Sequence, residues 1–333
     1  MQNGVLDLTT GGIRDGRPDD RITIHSPVTY DPFATCPRFQ QFLQEIFEED
    51  ADLISFVHRA VGYSLTGRTI EQVVFIAFGN GANGKGRLFS ALRSAIGPLG
   101  WNMPFSTFEL KGRSSVPNDL AALVGRRFVT ASETNEGTRL NEARVKALTG
   151  EDDITARFLS KELFEFRPVA KFWLAVNHKP RVSDDSYGFW RRVRLIPFNR
   201  QFGPDEADPD LEKKLLAERA GILAWMVQGA LEWQKHGLNA PESVMAATAE
   251  YKEESDPLLD FISVRCDVGP EKSVSGSDLY RSYQDWAEQE RLRVSETFNK
   301  TIFGIRMGQK FRKKRKNKSM IYFGIQLGEQ LQE

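Results

Sequence analysis

The sequence predicts an α/β fold, a three-layer core around a mainly parallel sheet with smaller additions at both ends, and three observations support it. Short apolar runs alternate with stretches of helical periodicity: VVFIAF (73–78), the segment after Gly84, RFVTAS (127–132), NEARVKAL (141–148), FWLAV (172–176) and VRLIPF (193–198). The glycine-rich turn GNGANGKGR, residues 79–87, sits directly behind the first of those runs. Residues 209–254 then read as helix, up to a break at ESDPLLDF.

Taken in order, residues 1–35 are rich in Gly, Asp and Thr, and the alternating pieces VLDL and RITIH predict a β-ribbon. Phe39, Phe42, Ile46 and Phe47, then Leu53, Ile54 and Val57, recur at helical spacing and predict two short helices ending before GYSLTG. ITARFLSKELFEFRPVA, residues 154–170, interrupts the core as a β-hairpin, and the last 70 residues read as a basic helix-then-hairpin unit. These changes divide the chain into 1–37, 38–69, 70–204, 205–258 and 259–333.

The 45 basic and 45 acidic side chains cancel, so no global field marks a nucleic-acid partner and any such argument must rest on local clusters. Cys36 and Cys266 fit no metal spacing and predict a reducing, cytoplasmic compartment. No apolar run approaches the roughly 20 residues of a membrane span, and MQNGVLDLTT lacks a signal-peptide pattern. The expectation is a soluble intracellular protein.

A buried strand feeding a glycine-rich turn and then a helix is what a triphosphate requires. Backbone N–H groups point inward, the helix N-terminus faces the anion, and a lysine neutralises the β- and γ-phosphates. Gly79, Asn80, Gly81, Ala82, Asn83 and Gly84 form that turn; Lys85 is the lysine, and Gly86 and Arg87 open the helix. Strand RFVTAS leads into Glu133 and Glu136, carboxylates for magnesium and for the attacking water. Glu133 is read as the metal-side group, although the division of roles between the two is open at this level. Asn177, ending FWLAV, is either an amide that holds water beside the γ-phosphate or a turn former. Arg191 and Arg192 precede the last core strand, and either pack against acidic helices or stabilise charge on a neighbour's phosphate.

In order and spacing, these residues resemble the superfamily 3 helicases, in particular the phage and plasmid primase–helicase family. The resemblance runs through NGVLDLTTGGI, GYSLTG, GNGANGKG, ASETNEG, VKALTGEDDITARFLSKELFEF, AVNHKP, FWRRVRLIPF and DLYRSYQDWAEQ. It implies an AAA+-type P-loop core behind a helical collar, followed by a winged helix. It also implies a homo-oligomeric ring, a hexamer, around single-stranded DNA, with ATP and Mg²⁺ between neighbours. Lys85 then belongs to the phosphates, Glu133 and Glu136 to magnesium and water, and Asn177 to γ-phosphate sensing. Arg192, with Arg191 as its rival, becomes a finger supplied in trans. Lys161 near the hairpin turn touches DNA phosphate in the channel, with Arg157 and Ser160 beside it.

Two departures matter. Gly86 stands where the family usually has the Ser or Thr hydroxyl that meets magnesium, and a retained water is expected to fill that position. The chain also starts almost at the leader segment, so no primer synthesis is expected from it, and a primase or polymerase would be supplied separately. Between Arg291 and Lys318, eleven Lys or Arg stand against one acid, Glu296. Lys310, Arg312, Lys313, Lys314, Arg315, Lys316 and Lys318 would form the wing turn of the winged helix and meet duplex or fork DNA phosphates. The function expected is an ATP-dependent replicative helicase of a phage, plasmid or other mobile element, working in a bacterial or infected cell. The alternative is an initiator or assembly factor that uses ATP only to oligomerise.

Overall fold

The computed structural model describes residues 1–110, 118–133, 137–290, 292, 297–316 and 319–328. The chain divides into two compact units, 1–251 and 252–333, the boundary falling in the last turn of the helix Glu242–Glu254.

The first unit opens with a ribbon of β1 (Val5–Asp7) and β2 (Gly12–Arg14), paired antiparallel. RITIH, expected as the second ribbon strand, forms none. The turn at Gly11 brings residues 12–14 back onto β1 first, and Ile22 is left exposed. Helices α1 (Pro37–Ile46) and α2 (Ala51–Leu65) follow. Asp50 caps α2 by accepting from Leu53 N at 3.0 Å. α2 continues through GYSL instead of ending before it, because Gly62 lets it cross a later helix at backbone contact: a Cβ on Gly62 would meet Gly229.

The core then runs β3 (Val74–Phe78), α3 (Lys85–Ile96), β4 (Gly100–Asn102), α4 (Asn118–Ala121), β5 (Phe128–Ser132) and α5 (Glu142–Thr149). A hairpin of β6 (Ile154–Ala156) and β7 (Phe164–Phe166) precedes β8 (Lys171–Val176), α6 (Tyr187–Trp190) and β9 (Val193–Pro197). Helices α7 (Leu211–Ala217), α8 (Arg219–His236) and α9 (Glu242–Glu254) complete it. Strands β4-β5-β8-β3-β9 form one five-stranded sheet, every pair parallel, the mainly parallel AAA+-type arrangement.

Alternation explains the layers. Phe75, Ala77, Trp173 and Ala175 pack with α1, α2, α3 and α8 on one face. Val74, Ile76, Phe172 and Leu174 pack with Phe108, Leu148 and Phe189 on the other. β8, at the sheet centre, is buried at all six residues, as a strand covered on both faces must be. Its first residue, Lys171, is buried as well, and its ammonium donates to the carbonyls of Thr66, Arg68 and Val169, which burial requires.

The second unit contains α10 (Pro257–Arg265), β10 (Cys266–Ser275), α11 (Gly276–Gln289), α12 (Lys300–Lys310), β11 (Lys313–Lys316) and β12 (Ser319–Leu327). The three strands form an antiparallel sheet in the order β10-β12-β11. Leu258, Phe261, Leu279, Tyr283, Phe303 and Ile325 make its core. The helices are backed by this small sheet, whose edge hairpin is basic. The lysine run is not a turn alone, however: Lys313–Lys316 is a strand paired with Ser319–Tyr322.

Candidate nucleotide and nucleic-acid sites

Parallel strands put their C-terminal ends on one edge, and ligands bind where neighbouring connections part to opposite sides of the sheet. β3 lies between β8 and β9, so the glycine-rich turn leaves the sheet centre there. The turn needs unusual backbone: Ala82 has φ 46°, and Gly84, the N-cap of α3, has φ 83°. A Cβ at Gly84 would also press on Ile46 and Phe42, so no side chain fits there. A cleft of 430 Å³ opens over residues 81–87, with Ser132 and Glu133 at the end of β5 and Ala175 and Asn177 at the end of β8.

Lys85 is 5% exposed. Its Nζ donates to Gly79 O at 2.5 Å and to Asn177 Oδ1 at 3.3 Å. Burial lowers its pKa to about 8. Glu133 N donates to Ala175 O at 2.9 Å, which fixes the carboxylate beside β8. Among the described residues no hydrogen bond of good geometry reaches either oxygen of Glu133, both of them buried, and the Thr138 hydroxyl and the His178 backbone are the donors nearby. Burial raises its pKa, opposed by the Thr138 hydroxyl and by His178. Among the described residues no group of three acidic, His or Cys side chains forms a metal cage. One buried carboxylate facing a glycine-rich turn fits magnesium, a hard cation that takes oxygen ligands and keeps several waters.

The other expected residues are placed less uniformly. Gly86 lines the cleft, and among the described residues nothing outside its chain neighbours and its own helix backbone lies within 4 Å of where its Cβ would stand. Arg87 lines it too, but its guanidinium is paired with Glu212 of α7. Asn83 is buried, its Nδ2 without a hydrogen-bond partner among the described residues, while Asn80 is exposed and outside the lining. Glu136 lies outside the described residues. Arg191 and Arg192 are not among the cleft residues of their own chain. Both reach Gln72, whose Oε1 accepts from Arg191 Nη2 at 2.5 Å and from Arg192 Nη2 at 3.3 Å. Gly188 O accepts from Arg192 as well. Sequence reasoning missed Gln72, Ser132 and His178; Gln72 stands 119 residues from Arg191, and no local pattern joins them.

The hairpin turns tightly, with Lys161 N donating to Phe158 O at 3.0 Å and Ser160 at φ 59°. Arg157 and Lys161 are exposed on either side of that turn. In the second unit Arg312 and Lys313–Lys316 are exposed, whereas Lys310 pairs with Asp256 at 2.6 Å; Lys318 lies outside the described residues. Among the described residues no helix is long and apolar enough to cross a membrane.

Known proteins are similar to this chain. Residues 1–48 match a family described as D5 N terminal like, and residues 77–192 match a family of unknown function, DUF5906. A protein of Acanthamoeba polyphaga mimivirus, named as a helicase, is 31% identical over 312 residues, covering 86% of this chain and 32% of its own. One from Frog virus 3, also named as a helicase, is 24% identical over 369 residues, covering 85% of this chain and 38% of its own. The chain thus spans about a third of the length of these relatives. The apo structure of the NrS-1 C-terminal region superposes with a TM-score of 0.53 at 16% identity, covering 74% of this chain and 56% of that one.

Proposed function

We propose that this chain, which belongs to the superfamily 3 primase–helicase family of viruses and phages, is an ATP-driven DNA helicase motor. One observation carries the reading: Lys85, Glu133 and Asn177 meet at a single cleft on the C-terminal edge of the parallel sheet. Backbone N–H groups of residues 81–86 and the N-terminus of α3 would cradle the β- and γ-phosphates. Lys85 would leave Gly79 O for the phosphate oxygens and hold the charge that grows on them. Asn177, released from Lys85, would orient the attacking water. Glu136 would activate or position the attacking water. The Glu133 carboxylate would hold magnesium, with room for a water beside Gly86, and the ion would supply charge neutralisation.

Arg192, with Arg191 its rival, would act on the cleft of a neighbouring subunit, which demands head-to-tail assembly, a ring where the rotation closes. Gln72 suits that task, since a neutral amide positions a guanidinium without cancelling its charge. The hairpin, through Lys161, Arg157 and Ser160, would follow single-stranded DNA. The exposed cations Arg312 and Lys313–Lys316 would meet duplex phosphates at the fork. The compartment would be the cytoplasm of an infected or element-bearing cell.

Gly86 favours a second reading, in which ATP serves assembly only. DNA-stimulated phosphate release separates the two. The motor reading predicts turnover that rises with single-stranded DNA and is lost in Lys85→Ala and Glu133→Gln. Tight ATP binding without turnover in the unaltered chain would favour the assembly reading.

A further inference from the structure

The hairpin tip is more apolar than a phosphate-tracking element needs. Phe158, Leu159 and Leu163 are 48%, 80% and 58% exposed. Leu159 and Ser160 are the central residues of the turn closed by Lys161 N and Phe158 O, so Leu159 sits at its apex. Behind them the rings form a row. Phe158 stacks on Phe164, with centroids 5.6 Å apart and planes 22° from parallel, and Phe164 meets Phe166 at 5.9 Å. Phe164 and Phe166 pack in turn against the sheet core. Phe158 therefore has one face backed by a ring anchored in the core, while about half of its surface meets solvent.

The charges here are few. Arg157 and Lys161 flank the turn, Glu162 follows immediately, and Arg167 is engaged with Asp153 at 3.1 Å. Two cations in contact with a single strand release few counterions, a salt slope of only about −1.4 per subunit. Stacking of a base on an aromatic ring adds a larger, sequence-tolerant contribution. We infer that this hairpin holds single-stranded DNA chiefly by its bases, one stacking on the open face of Phe158 with Leu159 and Leu163 as apolar flanks, while Arg157 and Lys161 meet adjacent phosphates. The inference rests on the reading of the hairpin as a DNA contact.

The experiment compares binding of the full chain, by fluorescence anisotropy, to a thymidine strand of about 20 nucleotides and to an abasic strand of the same length, long enough to cover a typical single-strand site. The abasic strand keeps every phosphate. The chain should bind the thymidine strand about tenfold or more tightly than the abasic one. Phe158→Ala should remove most of that difference without weakening abasic binding, and Phe158→Trp should restore it. Lys161→Ala should weaken both strands alike. Equal binding of the two strands by the unaltered chain would overturn the inference. So would a Phe158→Ala variant that keeps the base-dependent difference while its thermal midpoint is unchanged. If Lys161→Ala alone weakened binding, the hairpin would remain the contact and stacking would be wrong. If neither variant changed binding, the hairpin reading itself would fall.

Discussion

Lys85 Nζ donates to Asn177 Oδ1 across 3.3 Å, joining the glycine-rich turn after β3 to the end of β8. In this arrangement the lysine is held by one carbonyl and one amide oxygen, both neutral, and burial lowers its pKa to about 8. A bound triphosphate favours the ammonium and raises that pKa, so binding takes up a proton above pH 8. Nucleotide affinity should be full below about pH 8 and fall as pH rises through it, approaching tenfold per unit. A fluorescent-nucleotide titration from about pH 7 to about pH 9.5 brackets that pKa and checks the slope. Lys85→Arg, which does not titrate in that range, should flatten it.

Gly86 is the feature most at odds with a working motor, and the structure makes it testable. The space around its Cβ position is open and it lies in the first turn of α3, so a serine fits without displacing a neighbour. Gly86→Ser should replace a magnesium-bound water by a hydroxyl and lower the magnesium needed for half-maximal turnover by about fivefold, a gain of about 1 kcal/mol. A magnesium titration of phosphate release reads this. Loss of turnover would mean that the position needs its glycine for another reason.

Much of the core was legible because strands buried on both faces read as continuous apolar runs and because a phosphate turn has a fixed spacing. VVFIAF, FWLAV and VRLIPF became β3, β8 and β9, and Lys85, Glu133 and Asn177 came to one cleft. Short elements with exposed faces were not legible. β4 has three residues, two of them exposed, and carries no apolar pattern. RITIH alternates like a strand, but pairing depends on which partner arrives first, and Gly12–Arg14 is nearer to β1. Lys171 and Gln72 were invisible for a common reason: their partners, the Thr66 carbonyl and Arg191, lie more than 100 residues away.

The convergence of Arg191 and Arg192 on Gln72 gives the proposed finger a test in trans. Arg192→Ala should bind nucleotide normally yet hydrolyse it about a thousandfold more slowly. Mixing it with Glu133→Gln subunits should recover part of the activity, since some interfaces then hold both intact groups. Gln72→Glu should slow turnover with little change in nucleotide affinity, because a carboxylate there would neutralise the arginines. Native mass spectrometry confirms that mixed oligomers form. No recovery in confirmed mixtures would place Arg192 outside a shared site.

The C-terminal unit should act as a phosphate reader. Arg312 and Lys313–Lys316 are exposed, all on or beside the edge strand β11. Deleting residues 252–333 should weaken duplex binding and make the slope of log affinity against log salt shallower by about 0.9 for each phosphate that the truncated chain no longer neutralises. Phosphate release by the core should persist. An unchanged slope would assign the basic strand some other purpose.

Strand displacement on a forked DNA duplex tests the account most directly, because it requires the nucleotide cleft, the shared interface and the DNA contacts at once. With ATP and magnesium the unaltered chain should release the displaced strand, whereas Lys85→Ala, Glu133→Gln and Arg192→Ala should not. ATP turnover without any displacement, over a range of fork lengths and protein concentrations that permit assembly, would contradict a helicase and leave an ATP-dependent assembly factor in its place.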